Sequence, residues 1–236
     1  MRKVAIMQPY FLPYMGYFQL TQSVDCFVFL DDVNYIKKGW VNRNQILVNG
    51  AAHLFTIPLQ GASQNKKINE LSLSQFNDWK NAFLKNIVFN YKKSPFFSSF
   101  YPVLEELLST EFETIAALNK ASILSILHYL QLRHSHLIDS SAQYKNQELK
   151  GEERIIDICE QEKATHYHNP IGGVELYNSE KFKEHQIELF FLKPGSIQYS
   201  QNCDIFVPYM SILDVLMNVS PEETCALMNQ FELIQP

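Results

Sequence analysis

The chain lacks most of the marks that announce a function outright. Cysteine is sparse: Cys26, Cys159, Cys203 and Cys225 stand far apart, and none forms a C-x-x-C pair. They read as reduced, mostly buried thiols in a reducing compartment. No H-E-x-x-H motif and no cysteine cluster is present, so no metal is expected. His166 and His168 are read as pointing to opposite sides of a short strand, as are His134 and His136, which argues further against a metal pair. Long apolar runs are missing too, since no stretch approaches the roughly 20 residues of a membrane helix. The N-terminal run Met1 to Met7 starts basic but breaks at Gln8-Pro9, too short for a signal peptide. A cytoplasmic protein without membrane insertion is expected. Positive charge is also short. The net charge of -5 speaks against duplex nucleic acid as the main partner, because phosphate binding needs a positive field. A local basic patch still suits one or two phosphates.

The 236 residues are 46% hydrophobic, 13% aromatic and 19% charged. That is a globular composition with material for a substantial core. No linker, repeat or low-complexity segment divides the chain, so residues 1–236 are read as one domain.

Apolar periodicity gives the fold class. Val4–Met7 is a short apolar run. From Pro13, the spacing of Tyr14, Tyr17, Phe18, Thr21 and Val24 is helical, and proline suits a first helical turn. Cys26–Leu30 is continuously apolar and stops at Asp31-Asp32, which suggests a strand buried on both faces of a parallel sheet. Strand, helix and strand within about 30 residues is a βαβ unit. Val41–Val48 and His53–Leu59 flank Asn49-Gly50, a strong hairpin signal. A strand is expected at Leu71–Leu73, and helices over Asn77–Asn90, Phe97–Leu108 and Thr114–Leu132. Alternation then returns: strands near His136–Ile138, Thr165–His168 and Ile187–Leu192, with helices over Glu152–Glu162, Val174–His185, Ser211–Met217 and Pro221–Gln230. The expectation is a doubly wound, mainly parallel α/β sheet with an inserted hairpin and helices.

Four stretches carry candidate chemistry. The first is Gln8 to Tyr17, beyond the first strand and before a helix N-terminus, where anions are favoured. The arrangement is similar to the first βαβ unit of the nucleotidyltransferase superfamily, which carries His-x-Gly-His. Here the matching residues are Tyr14-Met15-Gly16-Tyr17, so both histidines are absent. The plain alternative is an aromatic helix start packed on the core. The second stretch is Asp31 to Asn44. It offers Asp32, Lys37, Lys38, Trp40, Asn42, Arg43 and Asn44: cations for phosphate, amides for hydroxyls, an aromatic for a ring. Its alternative is a solvated loop and an ordinary strand start. The third is Tyr167 to Val174, where Gly172-Gly173 lets backbone amides approach a ligand and His168 is a candidate base. It lacks G-x-G-x-x-G spacing, and a tight turn explains it equally well. The fourth is Ser211 to Asp214, where a carboxylate in an apolar helix must find a partner.

Val4 to Tyr10, Pro13 to Phe18, Asp31 to Tyr35 and Gly39 to Asn44 together resemble the WbqC-like family. Asn169-Pro170 through Gly173, Leu176-Tyr177 and Ser211 to Asp214 extend the likeness over essentially the whole chain. That family occurs in bacterial O-antigen and other surface-polysaccharide clusters. The resemblance implies a role in making or modifying a sugar precursor, and acyl or aminoacyl transfer to an amino-sugar nucleotide is one such role. It brings no catalytic residues with it. The reading is an enzyme that binds an anionic small molecule such as a nucleotide sugar, with no cofactor expected. Gln8, Tyr10, Tyr14 and Tyr17 line the site, Lys37, Lys38 and Arg43 hold anionic groups, and Asp32 or His168 manages protons. Two rivals stand beside it: nucleotidyl or adenylyl transfer, and a non-enzymatic ligand-binding or scaffold protein.

Overall fold

In the computed structural model, which describes residues 1–132 and 136–236, alternating side chains decide the two faces of a sheet. The strands in chain order are β1 (Lys3–Met7), β2 (Cys26–Phe29), β3 (Arg43–Val48), β4 (Ala51–Thr56), β5 (Leu137–Ile138), β6 (His166–Pro170), β7 (Glu188–Pro194) and β8 (Phe231–Ile234). The helices are α1 (Met15–Gln22), α2 (Phe76–Tyr91), α3 (Phe97–Ser109), α4 (Ile115–Tyr129), α5 (Gly151–Gln161), α6 (Ser179–Glu184), α7 (Ile212–Asn218) and α8 (Pro221–Met228).

β1 and β2 pair in parallel, Val4 opposite Cys26 and Met7 opposite Phe29, with α1 as the crossover. Both strands read as unbroken apolar runs because both faces are covered. Val4, Ile6, Cys26 and Val28 pack with Ile155, Ile158 and Cys159 of α5 and Phe182 of α6. Ala5, Phe27 and Phe29 belong to a larger apolar layer with Tyr17, Phe18 and Leu20 of α1 and side chains of the hairpin and of α2, α3, α4, α7 and α8.

The sheet order is β5-β2-β1-β6-β7-β8. All neighbours are parallel except β7 and β8. The chain grows outward from β1 through β2 to β5, then crosses back to β6 on the other side of β1. The crevice between β1 and β6 is therefore the topological switch point of the sheet. The expected mainly parallel, helix-covered sheet is observed. The β3–β4 hairpin, a separate two-stranded sheet, and α2 to α4 are inserted between β2 and β5. Its turn uses Asn49 and Gly50, both with positive φ (51° and 76°), as a type I′ hairpin turn requires.

Three local expectations are corrected. Leu71–Leu73 makes only isolated bridges, Leu73 with Leu59 and Ser72 with Thr114, and no strand. The expected helix over Val174–His185 is split: a 3-10 turn spans Ile171–Leu176, and α6 starts at Ser179, where the Asn178 side chain caps it. His166 and His168 share one face of β6, because residues two apart on a strand point the same way. The rings of both lie against Phe190, at 5.4 and 5.5 Å between centroids. The strand at Phe231–Ile234 was not expected from the sequence. His134 lies outside the described residues.

Candidate functional site

The loops after β1, β2, β5 and β6 leave the same edge of the sheet, as parallel strands dictate. After β1 the chain does not run freely. Asn119 of α4 donates through Nδ2 to the Pro9 carbonyl (2.9 Å) and the Val41 carbonyl (2.7 Å). Ser122 accepts from the Leu12 amide, and Asn44 and Ser211 donate to the Leu12 carbonyl at 2.6 and 2.7 Å. Leu12 sits at φ 44°, a left-handed conformation uncommon for its residue type and sustained here by surrounding bonds. Asn119 is fully buried, and its Oδ1 has no partner among the described residues.

Within this knot the first stretch is only partly committed. The Tyr17 hydroxyl donates to the Gln8 carbonyl at 3.1 Å and is buried. The Gln8 side chain and the Tyr10 and Tyr14 hydroxyls are half-buried and make no hydrogen bond among the described residues. The rings of Tyr10 and Tyr17 lie 5.9 Å apart. Burial, reinforced by nearby Tyr14, pushes the Tyr10 hydroxyl up to about 12. Burial, with Tyr209 close by, raises Tyr14 as well. Tyr10 and Tyr14 are thus neutral hydrogen-bonding groups, not bases, at neutral pH. Gly16 leaves room for the Tyr14 ring, which a Cβ there would meet at 2.3 Å and push aside. No side chain caps α1, and its first turn holds no acidic residue.

The second stretch is different. Asp32 is buried and both its oxygens accept from Arg154 of α5 at 2.7 Å, with Ser141 donating to Oδ1 as well. Burial opposes the charge, but the Ser141 and Arg154 bonds outweigh it and hold the carboxyl below its ordinary range. Arg154 is itself oriented by Asn146 at 3.0 Å. Asp31 accepts from Ser140 at 2.5 Å and from Lys120 at 3.3 Å, and Lys120 also reaches Asp139. Asn42 donates to the Ile57 carbonyl and accepts from Tyr35 at 2.8 Å. Arg43 folds its own loop, donating to the Gly39 carbonyl at 2.9 Å and to that of Lys38, with its guanidinium 5.5 Å from the Trp40 ring centre. Lys37 and Lys38 are exposed, and neither pairs with a carboxylate among the described residues.

In the third stretch His168 is buried beneath α1 and shares a 3.0 Å bond with Ser23. Burial, aided by Lys3 and His166, lowers it to about 4, so it is neutral at pH 7. Gly173 makes room for a neighbour: a Cβ would meet the Asn169 amide at 1.9 Å. Gly172 is exposed with nothing near its Cβ position. In the fourth, Asp214 is fully buried and accepts from Tyr91 (2.8 Å), Tyr199 (2.6 Å) and Gln201 (2.8 Å).

Gln8, Tyr10 and Tyr14 therefore stand beside the switch point with polar atoms to offer. Asp32, Asn42, Arg43 and Asn44 are occupied in holding the loops. Sequence reasoning missed Asn119, Lys120, Ser141, Arg154 and Tyr209. Asn119 and Lys120 in the largely apolar first turns of α4 were the available signal, because a buried polar side chain must find partners.

These features define a doubly wound α/β protein whose first strand borders the switch point of its sheet. The chain belongs to the WbqC-like protein family, whose family model matches residues 8–226. It is 32% identical over 225 residues to the uncharacterized protein Rv1507c of Mycobacterium tuberculosis (strain ATCC 25618 / H37Rv), covering 94% of this chain and 96% of that protein. No solved structure matches it. No helix among the described residues is long and apolar enough to cross a membrane.

Proposed function

We propose that the chain is a cytoplasmic enzyme of surface-polysaccharide precursor biosynthesis that binds a nucleotide sugar at the switch point between β1 and β6. The observation that carries the reading is the set of uncommitted polar groups there: the Gln8 amide and the Tyr10 and Tyr14 hydroxyls, beside an uncapped helix N-terminus. Amides and neutral phenols suit sugar hydroxyls, aromatic faces suit a ring, and a helix N-terminus suits a phosphate. Lys37 and Lys38, exposed on the neighbouring loop, add positive charge in a protein of net charge -5. Family membership supports the pathway. Acyl or aminoacyl transfer to an amino-sugar nucleotide is the reaction we assign to it. In that assignment His168, neutral and bonded to Ser23 at the C-terminal end of α1, stands at the far end of that helix from Tyr14 and takes no proton from substrate. Asp32 serves by fixing the loop through Arg154.

Nucleotidyl transfer is the second reading, favoured by the strand order around β1. Tyrosines in place of both histidines of His-x-Gly-His remove the cationic side chains that chemistry uses on phosphate. A thermal-shift screen against nucleotide sugars, ATP and acyl-CoA separates the cases. Selective stabilisation by a nucleotide sugar is the expected result. Stabilisation by ATP alone moves the assignment to nucleotidyl transfer, and no response to any of them favours a scaffold.

A further inference from the structure

The opposite edge of the sheet holds a cluster that plays no part in the site above. β2 begins at Cys26, β5 begins immediately after His136, and the residue that closes α5 is Glu162. β2 and β5 are parallel neighbours, Phe27 opposite Leu137, and the Phe27 amide bonds to the His136 carbonyl at 3.0 Å. Cys26 and His136 are therefore brought to adjacent positions at one edge. α5 packs on the face toward which Cys26 points, and its C-terminal end delivers Glu162. One ligand atom from each of the three residues lies within 4.8 Å of the other two.

We propose that Cys26, His136 and Glu162 form a binding site for a divalent cation of the zinc type. The donor set is one thiolate, one imidazole and one carboxylate, a mixture that suits zinc and not magnesium or calcium. Tetrahedral zinc with bonds of about 2.0–2.3 Å places its ligands about 3.3–3.8 Å apart. The Cys26 sulfur already stands 3.6 Å from a Glu162 oxygen, so small side-chain adjustments complete the triangle. His136 is exposed, and its ring makes no hydrogen bond among the described residues, so the metal has an approach from solvent. Glu162 is already oriented from behind by Tyr144, which donates to Oε1 at 2.7 Å. Such outer partners fix a ligating carboxylate. Arg2 now donates to Oε2 of Glu162 and stands beside Cys26 as well; its side chain is 41% exposed, and the cation replaces it as it turns to water. Binding forms a metal–sulfur bond and sends the Cys26 thiol proton to solvent. Three protein ligands leave one tetrahedral position for water. Ligand spacing gives no hint of the site, because residues 26, 136 and 162 meet only through the sheet.

Titration of Co2+ into the full chain after EDTA treatment tests the site. One equivalent is expected to bind, with near-ultraviolet sulfur-to-cobalt absorption and visible bands of tetrahedral strength, and Zn2+ displaces it. His136→Ala, at an exposed position that spares the core, weakens binding at least about tenfold. Cys26→Ser abolishes the sulfur band, and Cys203→Ser leaves it intact. Circular dichroism confirms that each variant is folded, and His136→Ala decides the matter if Cys26→Ser is not. Failure to bind stoichiometrically, unchanged affinity in His136→Ala, or a sulfur band that follows Cys203 instead of Cys26 overturns the proposal.

Discussion

The loops that follow β1 and β2 make an instructive pair. The stretch from Asp31 to Asn44 is dense in charges and amides, yet apart from Asn34, Lys37 and Lys38 the structure spends them on itself. Asp31, Asp32, Asn42, Arg43 and Asn44 each bond to another side chain or to backbone. The stretch from Gln8 to Tyr17 has one amide and three phenols, and most of their polar atoms have no partner among the described residues. Polar density in a sequence thus measures how much irregular backbone must be held in place. A binding edge is marked instead by polar groups left over once that is done.

Breaking the committed loop has the largest expected effect. Arg154→Ala strands the Asp32 carboxylate in the interior and costs about 3–5 kcal/mol, read as a fall in the urea midpoint. Asp214→Ala comes next. It leaves the Tyr91, Tyr199 and Gln201 donors without their acceptor, at about 1–3 kcal/mol.

The same two carboxylates respond oppositely to pH. Asp32 is held below its ordinary value, so the stability it contributes is present above about pH 4 and lost as pH falls through its folded value. Asp214 is raised, burial outweighing its hydrogen bonds. Its contribution is greatest below about pH 4 and is lost as pH rises through its folded value. Asp214→Asn removes that second slope, so the variant gains on the wild type as pH rises from about 4. Chemical denaturation at several pH values measures this.

Arg43→Ala has a smaller effect, about 1 kcal/mol. It frees the loop around Lys38 and Gly39, seen as faster amide exchange there and a changed Trp40 emission. Gln8→Ala and Tyr10→Phe sharpen the contrast from the other side, each altering stability by no more than about 0.5 kcal/mol.

Much of this was legible in advance, and the misses have physical causes. The parallel sheet was readable because Val4–Met7 and Cys26–Leu30 are apolar without alternation, and the hairpin because Asn49-Gly50 fits only a few turns. The start of the helix expected over Val174–His185 was misplaced because Asn178 caps a new helix inside a continuous helical pattern. β8 escaped because it is only four residues long and follows directly on the helix expected to run to Gln230. The segments at the site were legible, since chain order puts them after strands. Which of their residues are occupied was not. Arg154 lies 122 positions from Asp32, and nothing local in either segment records the pair. Asn44 suffers the same problem: its partner is the carbonyl of Leu12, 32 positions earlier.

The central claim is that the uncommitted groups after β1 receive a nucleotide sugar. Calorimetric titration of a uridine diphosphate amino sugar into wild type and into the Gln8→Ala, Tyr10→Phe double variant tests it most directly, with the melting temperature of each measured unliganded. The account predicts unchanged melting and affinity weakened at least about tenfold, as two lost hydrogen bonds imply. Equal affinity in the two proteins, or a double variant whose melting falls as far as that of Arg154→Ala, would contradict it.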